Sequence, residues 1–267
     1  FRAPLYAYLL GLLYAVFGDS LWIARLFGLA VGLMTLTLIY LCAHRAFGRT
    51  SGIVAASLYA IYPITIYFES EILADPLFAL LLLAAIHCLL AWQERRTLGS
   101  LTLTAILIGF AAITRPTILV LVPFLIVWLS FSAGSHRKRV ETISVILAGL
   151  AIVIAPIFVR NLVVARDPVL IASQGGINFF IGNHAAADGA SAVLPEPLGF
   201  NWRISDVTFI AEQAEGRTLR PGEVSSYWTA RALEWIAAHP VDAARLYARK
   251  LWLSVSNREI SNNRNMD

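Results

Sequence analysis

Apolar residues fill the first 160 positions in long runs separated by short polar breaks, and then that pattern stops. A helix needs about 20 apolar residues to cross a hydrocarbon core about 30 Å thick. The stretch "LWIARLFGLAVGLMTLTLIYLCA" (21–43) meets that length, and runs at 51–68, 76–92 and 140–159 come close to it. The run "LTLTAILIGFAAITRPTILVLVPFLIVWLSF" (101–131) is interrupted once, by Arg115-Pro116. Proline cannot continue a helix without losing a backbone bond. The break therefore predicts two short spans, at 99–114 and 116–133. At about 1.5 Å per residue they are about 24–27 Å long, which implies local thinning or burial in protein. The run at 4–18 is too short for a comfortable span. It is bounded by Pro4 and Gly18 and predicts a surface helix.

The basic residues give these runs a direction. Three polar breaks hold Arg45 and Arg49, then Arg95 and Arg96, then Arg137, Lys138 and Arg139. With a turn at Arg115-Pro116 all three face one side, the cytoplasm by the positive-inside rule. That places seven of the ten basic residues of 1–159 there. The other side collects Arg2, Asp19, Arg25, Glu69, Glu71, Asp75, Arg115 and Arg160. Charges of both signs gather at that outer boundary, so chemistry is sought there.

Composition agrees with a membrane protein. The chain is 58% hydrophobic and 14% charged, with mean hydropathy +0.69, where soluble domains carry roughly 25% charged residues. The net charge of +4 does not point to nucleic acid, because the basic residues cluster in turns between apolar runs. Cys42 and Cys88 lie inside apolar runs and read as small buried hydrophobes. The five histidines are scattered without ligand spacing, so no metal site is assigned. Gly28 and Gly32 form G-x-x-x-G, a pattern of close helix packing. "QGGINFFIGN" (174–183) lacks a phosphate-loop pattern and reads as turns. Residues 160–267 hold 11 basic and 11 acidic residues and two amphipathic helical stretches around Pro240, as expected of a mixed soluble or interfacial segment on the outer side.

In "FESEILADPLF" (68–78) Asp75 precedes Pro76, a common helix start with aspartate as the cap. Glu69 and Glu71 read as solvated loop charges. Arg115, at a tight outer turn, suits an anionic phosphate electrostatically, as it also suits a lipid headgroup.

The order of these features resembles the GT-C fold of polytopic membrane glycosyltransferases. It is most similar to the dolichyl-phosphate-mannose-protein mannosyltransferase-like branch with the bacterial protein O-mannosyltransferases and lipid A aminoarabinose transferases. "FRAPLY", "FGDSLWIARLFGLAVGLMTLTLIYLCAHRAFG", "ADPLF", "GFAAITRPT", "APIFVRNLVV" with "GGINFFIGN", and "AHPVDAARLYARKLW" carry the resemblance in sequence order. It implies an all-α membrane domain over 1–159, with about six spans and a surface helix, followed by an extracytoplasmic segment at 160–267. It implies transfer of a sugar from a polyprenyl-phosphate donor to a protein, lipid or glycan acceptor on the outer face of a membrane, the bacterial inner membrane. Asp75 matches the family's second acidic motif, and Asp75 with Glu71 are the catalytic candidates. Arg115 and Arg2 match its donor-phosphate cations, and Arg160 and Asn161 its cavity-shaping boundary. No cofactor is implied and a divalent metal is left open.

The family's principal catalytic carboxylate belongs to an outer loop that would precede Phe1. The chain therefore reads as a fragment lacking the first span and the later spans, and inactive alone. Two other readings stay open. One is a transporter or flippase of a lipid-linked or anionic solute, which should bury ionisable groups near the midplane; here only His87 is deep. The other is a non-catalytic membrane scaffold.

Overall fold

The computed structural model describes residues 2–132, 134–195, 198–199 and 202–256. Residue 133, the last of the expected span 116–133, and the tail from 257 onward lie outside them. The protein is an all-α polytopic membrane protein; the described residues form twelve α-helices and one 3-10 helix, and no strand. The chain falls into two compact units, residues 3–160 and residues 161–256 with Arg2.

In the first unit α1 (Leu5–Phe17) is followed by α2 (Leu21–Phe47), α3 (Arg49–Ile61), α4 (Pro63–Ser70) and α5 (Asp75–Arg95). Next come α6 (Leu98–Ala112), a 3-10 helix at Pro116–Val120, α7 (Leu121–Ser132) and α8 (His136–Val164). Helices α2, α5 and α8 are long and apolar enough to cross a membrane. Helices α3 and α4 pass the same test only together, and they are bent by 61° at their junction. Pro63 opens α4 and accounts for that break, since it has no N–H to continue the helical ladder.

The break at Arg115-Pro116 is a reversal of the chain. Arg115 is extended, between the end of α6 and the 3-10 helix. Arg96, two residues before α6 begins, donates to the carbonyl oxygen of Ser132 at the end of α7 (3.2 Å). The two ends of 98–132 therefore meet on one side of the unit. The same side holds Arg45 paired with Glu94 (2.9 Å) and Arg139 bonded to the Ser130 carbonyl oxygen (3.2 Å). Three of the basic breaks thus converge at one end.

Helix α6 is short because it is buried in protein. Leu101, Ala105, Ala111 and Ala112 are fully inaccessible. Its small residues let α8 approach: Gly149 lies against Ala105 and Gly109 against Val153, the close packing that drives helix association in lipid. Helix α1 packs through Leu5, Tyr6 and Leu9 onto Val31, Leu77 and Leu80 and exposes Leu12, Val16 and Phe17.

The second unit contains α9 (Gly175–Ile181), α10 (Ile204–Glu215), α11 (Pro221–Ala238) and α12 (Pro240–Val255), with an isolated bridge between Leu194 and Gly199. Its core is Ile177, Leu194, Val207, Ala211, Val224 and Trp228. The stretch read as turns, "QGGINFFIGN", contains a helix instead. Gly176 lets α9 lie directly on α11: its N–H donates to the Ser225 hydroxyl (2.9 Å), and a methyl group there would overlap the Ser225 backbone. Tertiary packing overrides the low helix propensity of the two glycines.

Candidate active site

The end of the first unit opposite the basic cluster is where α5 begins and α6 ends. The Leu5 N–H at the start of α1 donates to the Ile113 carbonyl oxygen there (3.1 Å). Asp75 sits in the first turn of α5, with Pro76 beside it. The residue capping α5 is Ala74, and the Asp75 side chain makes no cap bond. Its Oδ1 instead pairs with Nη2 of Arg115. The reversal after α6 and the start of α5 thus bring the best acidic and basic candidates into direct contact.

Both side chains of the pair are about half exposed, Arg115 at 49% and Asp75 at 41%. A guanidinium carries five N–H donors and a carboxylate two oxygens, so one contact exhausts neither. The arrangement can present a forked cation to an anion and a carboxylate oxygen to a hydroxyl at the same place.

Glu71 ends α4 as its C-cap, half-buried, with its carbonyl oxygen accepting from the Leu73 N–H (2.9 Å). Arg160 is exposed near the end of α8. Arg2 and Asn161 belong to the other unit. The Asn161 amide donates to the carbonyl oxygens of Val169 (2.9 Å) and Ile171 (3.4 Å), which folds the chain back after α8.

Glu69 is not the loop charge expected from the sequence. It lies in α4, half-buried, and accepts a hydrogen bond from the Tyr59 hydroxyl of α3 (2.6 Å). Gly28 and Gly32 open the surface of α2 to it: the Glu69 backbone oxygen lies over Gly28 and the carboxylate over Gly32. The G-x-x-x-G pattern signalled close packing, but its partner could not be named from local sequence. A carboxylate held this way against a span is stabilised by its charge-assisted bond.

Two of the buried polar residues in the second unit are titratable, and the sequence did not single them out as site residues. Asp167, 4% exposed, accepts from the Gly222 N–H at the start of α11 (2.7 Å), where an anion is favoured by the free N–H groups of a helix N-terminus. His184, 3% exposed, accepts from the Ala186 N–H at Nδ1 (3.1 Å) and bonds the Val193 carbonyl oxygen through Nε2 (3.0 Å). That pattern assigns the proton to Nε2 of a neutral ring. Among the described residues no three His, Cys, Asp or Glu side chains group as a metal site.

A helical unit with membrane-length apolar helices, small-residue packing and a paired carboxylate and guanidinium at one end is that of a polytopic membrane protein. Residues 2–160 match the family model described as dolichyl-phosphate-mannose-protein mannosyltransferase, and the chain belongs to that family. It is a membrane glycosyltransferase of the GT-C type. No curated protein and no solved structure matches the chain.

Proposed function

We propose that the protein moves a sugar from a polyprenyl-phosphate donor to an acceptor on the extracytoplasmic side, and that the transfer is centred on Asp75 and Arg115. The observation that carries this reading is their ion pair, at the end of the unit away from the clustered Arg45, Arg96 and Arg139. By the positive-inside rule the basic end is cytoplasmic and the pair faces outward.

The donor's polyprenyl chain is soluble in the bilayer, so its phosphate reaches the boundary where the pair lies. Arg115 offsets the charge that grows on the leaving phosphate, an interaction stronger in the transition state than before it. The acceptor hydroxyl attacks the anomeric carbon, the carbon–oxygen bond to phosphate breaks, and the phosphate departs with the electron pair. In a single step the anomeric centre inverts. Asp75 orients the hydroxyl, together with Glu71; the base that takes the proton is a carboxylate. The acceptor is a protein, lipid or glycan, and the membrane is the bacterial inner membrane.

Transfer of labelled mannose from polyprenyl-phosphate-mannose, measured in membranes holding the protein, tests the assignment. Arg115→Ala should lower donor use by about a hundredfold, the scale of losing one transition-state donor. Asp75→Asn should lower turnover with little change in the donor's KM. Normal transfer by a well-folded Arg115→Ala protein would refute the role of Arg115.

A further inference from the structure

Helix α12 has two unlike faces. One is fixed to its own unit: Leu246 is 8% exposed, and the Lys250 ammonium donates to the Gly182 carbonyl oxygen and the Asn183 side-chain oxygen (3.4 Å). Gly189 leaves room there for Leu246, Lys250 and Leu253. The other face is an apolar stripe of Val241, Ala248, Leu251, Trp252 and Val255, at helical spacing and all exposed. Trp252 is 68% exposed and Val255 79%.

The edges of the stripe say what it fits. Arg245 and Arg249 border it on one side. With Lys250 they outnumber the helix's one carboxylate, Asp242, which pairs with Arg245 (3.3 Å). Tyr247, 64% exposed, borders it on the other. Amphipathic rings sit at the level of lipid headgroups, and arginine can rest its stem on apolar surface while its head meets an anion. A helix with an apolar stripe, aromatic rings and a net positive charge has the composition of one lying in a membrane interface. A protein partner would need no such bias toward cations. The chain's own spans keep a bilayer at hand.

We propose that α12 lies in the plane of an anionic lipid surface, with its apolar stripe in the acyl boundary and Arg245 and Arg249 among the headgroups. The inference rests on the chain being integral to a membrane and not on sugar transfer, so the two can fail separately.

The test uses the full chain in nanodiscs of phosphatidylcholine and phosphatidylglycerol. Nitroxide labels go at Ala248→Cys and Leu251→Cys, with Glu215→Cys as an exposed control, in a Cys42→Ala/Cys88→Ala background. The labels at 248 and 251 should collide readily with oxygen and at least about fivefold less with a water-soluble nickel chelate than the label at 215, because the chelate is excluded from hydrocarbon. Nickel access equal to the control would overturn the proposal, showing the stripe in water. Low access to both reagents would also overturn it, showing that protein covers the stripe. In the unlabelled chain, brominated lipid should quench tryptophan emission, and Trp252→Phe should remove part of that quenching; no change would count against the proposal.

Discussion

The Arg115 guanidinium is paired with the Asp75 carboxylate across the junction of two helices, which turns two ambiguous boundary charges into one arrangement. A half-exposed ion pair contributes about 0–1 kcal/mol to stability. Exchanging the charges, Asp75→Arg with Arg115→Asp, should therefore leave the melting temperature within a few degrees of the parent while abolishing transfer. Recovery of transfer in the exchanged protein would mean that the pair is structural and that the chemistry lies elsewhere.

Glu69 and the α2 glycines form a fitted contact. A methyl group on Gly28 would lie 2.7 Å from the Glu69 backbone oxygen, and one on Gly32 would overlap the carboxylate. Gly28→Ala and Gly32→Ala should each destabilise the protein by about 1–3 kcal/mol, the usual cost of overpacking. Tyr59→Phe, which keeps the volume and removes the hydrogen bond to Glu69, should cost about 1–3 kcal/mol. Thermal unfolding in detergent reads all three; unchanged melting for Gly32→Ala would show that α4 is free to move off α2.

Asp167 serves the second unit in the way a cap serves a helix, but from a distant loop. Asp167→Ala leaves the Gly222 N–H without its buried acceptor and should cost about 1–3 kcal/mol. Hydrogen exchange should show faster opening of the first turn of α11 while α10 is little affected. Uniform exchange across both helices would argue that Asp167 supports the whole unit.

His184 makes the second unit sensitive to acid. Burial pushes its pKa below the ordinary histidine value of 6.5, and Lys250 adds to that; the Val193 bond and Asp188 oppose it without prevailing. The unfolded chain then takes up a proton near pH 6.5 that the folded ring resists. This group's contribution to stability is present above about pH 6.5 and is lost as pH falls toward the lower folded value. Asp188 does not titrate in that window. Burial alone would raise its pKa, but the Ser191 hydroxyl and the Ser191 and Ala190 N–H groups hold it below 3.8. Melting temperature should fall between pH 7 and pH 5 in the parent and fall less in His184→Gln. Equal slopes would assign the acid sensitivity to other groups.

Much of the membrane unit could be read along the chain. Apolar run length and the positions of Pro76 and Pro116 are local properties, and helices begin or break there; the bend at Pro63, inside the run 51–68 read as one span, was not foreseen. The basic breaks at 45–49, 95–96 and 137–139 were legible too, because charge at a span end is set by the cost of moving it into hydrocarbon. The resemblance to a mannosyltransferase family was carried by short motifs in order, and the family match covers those of the membrane unit, residues 2–160, but not "GGINFFIGN" or "AHPVDAARLYARKLW".

Pairings between helices were not legible, because they depend on which surfaces meet. Asp75 before Pro76 suits a cap or a first-turn position equally well by local preference; Arg115, distant in sequence, decided it by offering the carboxylate a charged partner. Glu69 looked like a loop charge until Gly28 and Gly32 made space for it on α2 and Tyr59 donated to it. "GGINFF" looked like turns until burial against Ser225 and Trp228 outweighed its weak helix propensity. The sequence by itself determined where the apolar runs lie and where the charges interrupt them. The tertiary structure alone decided which of those charges touch, because a side chain's partner is chosen by packing across helices and not by its neighbours along the chain.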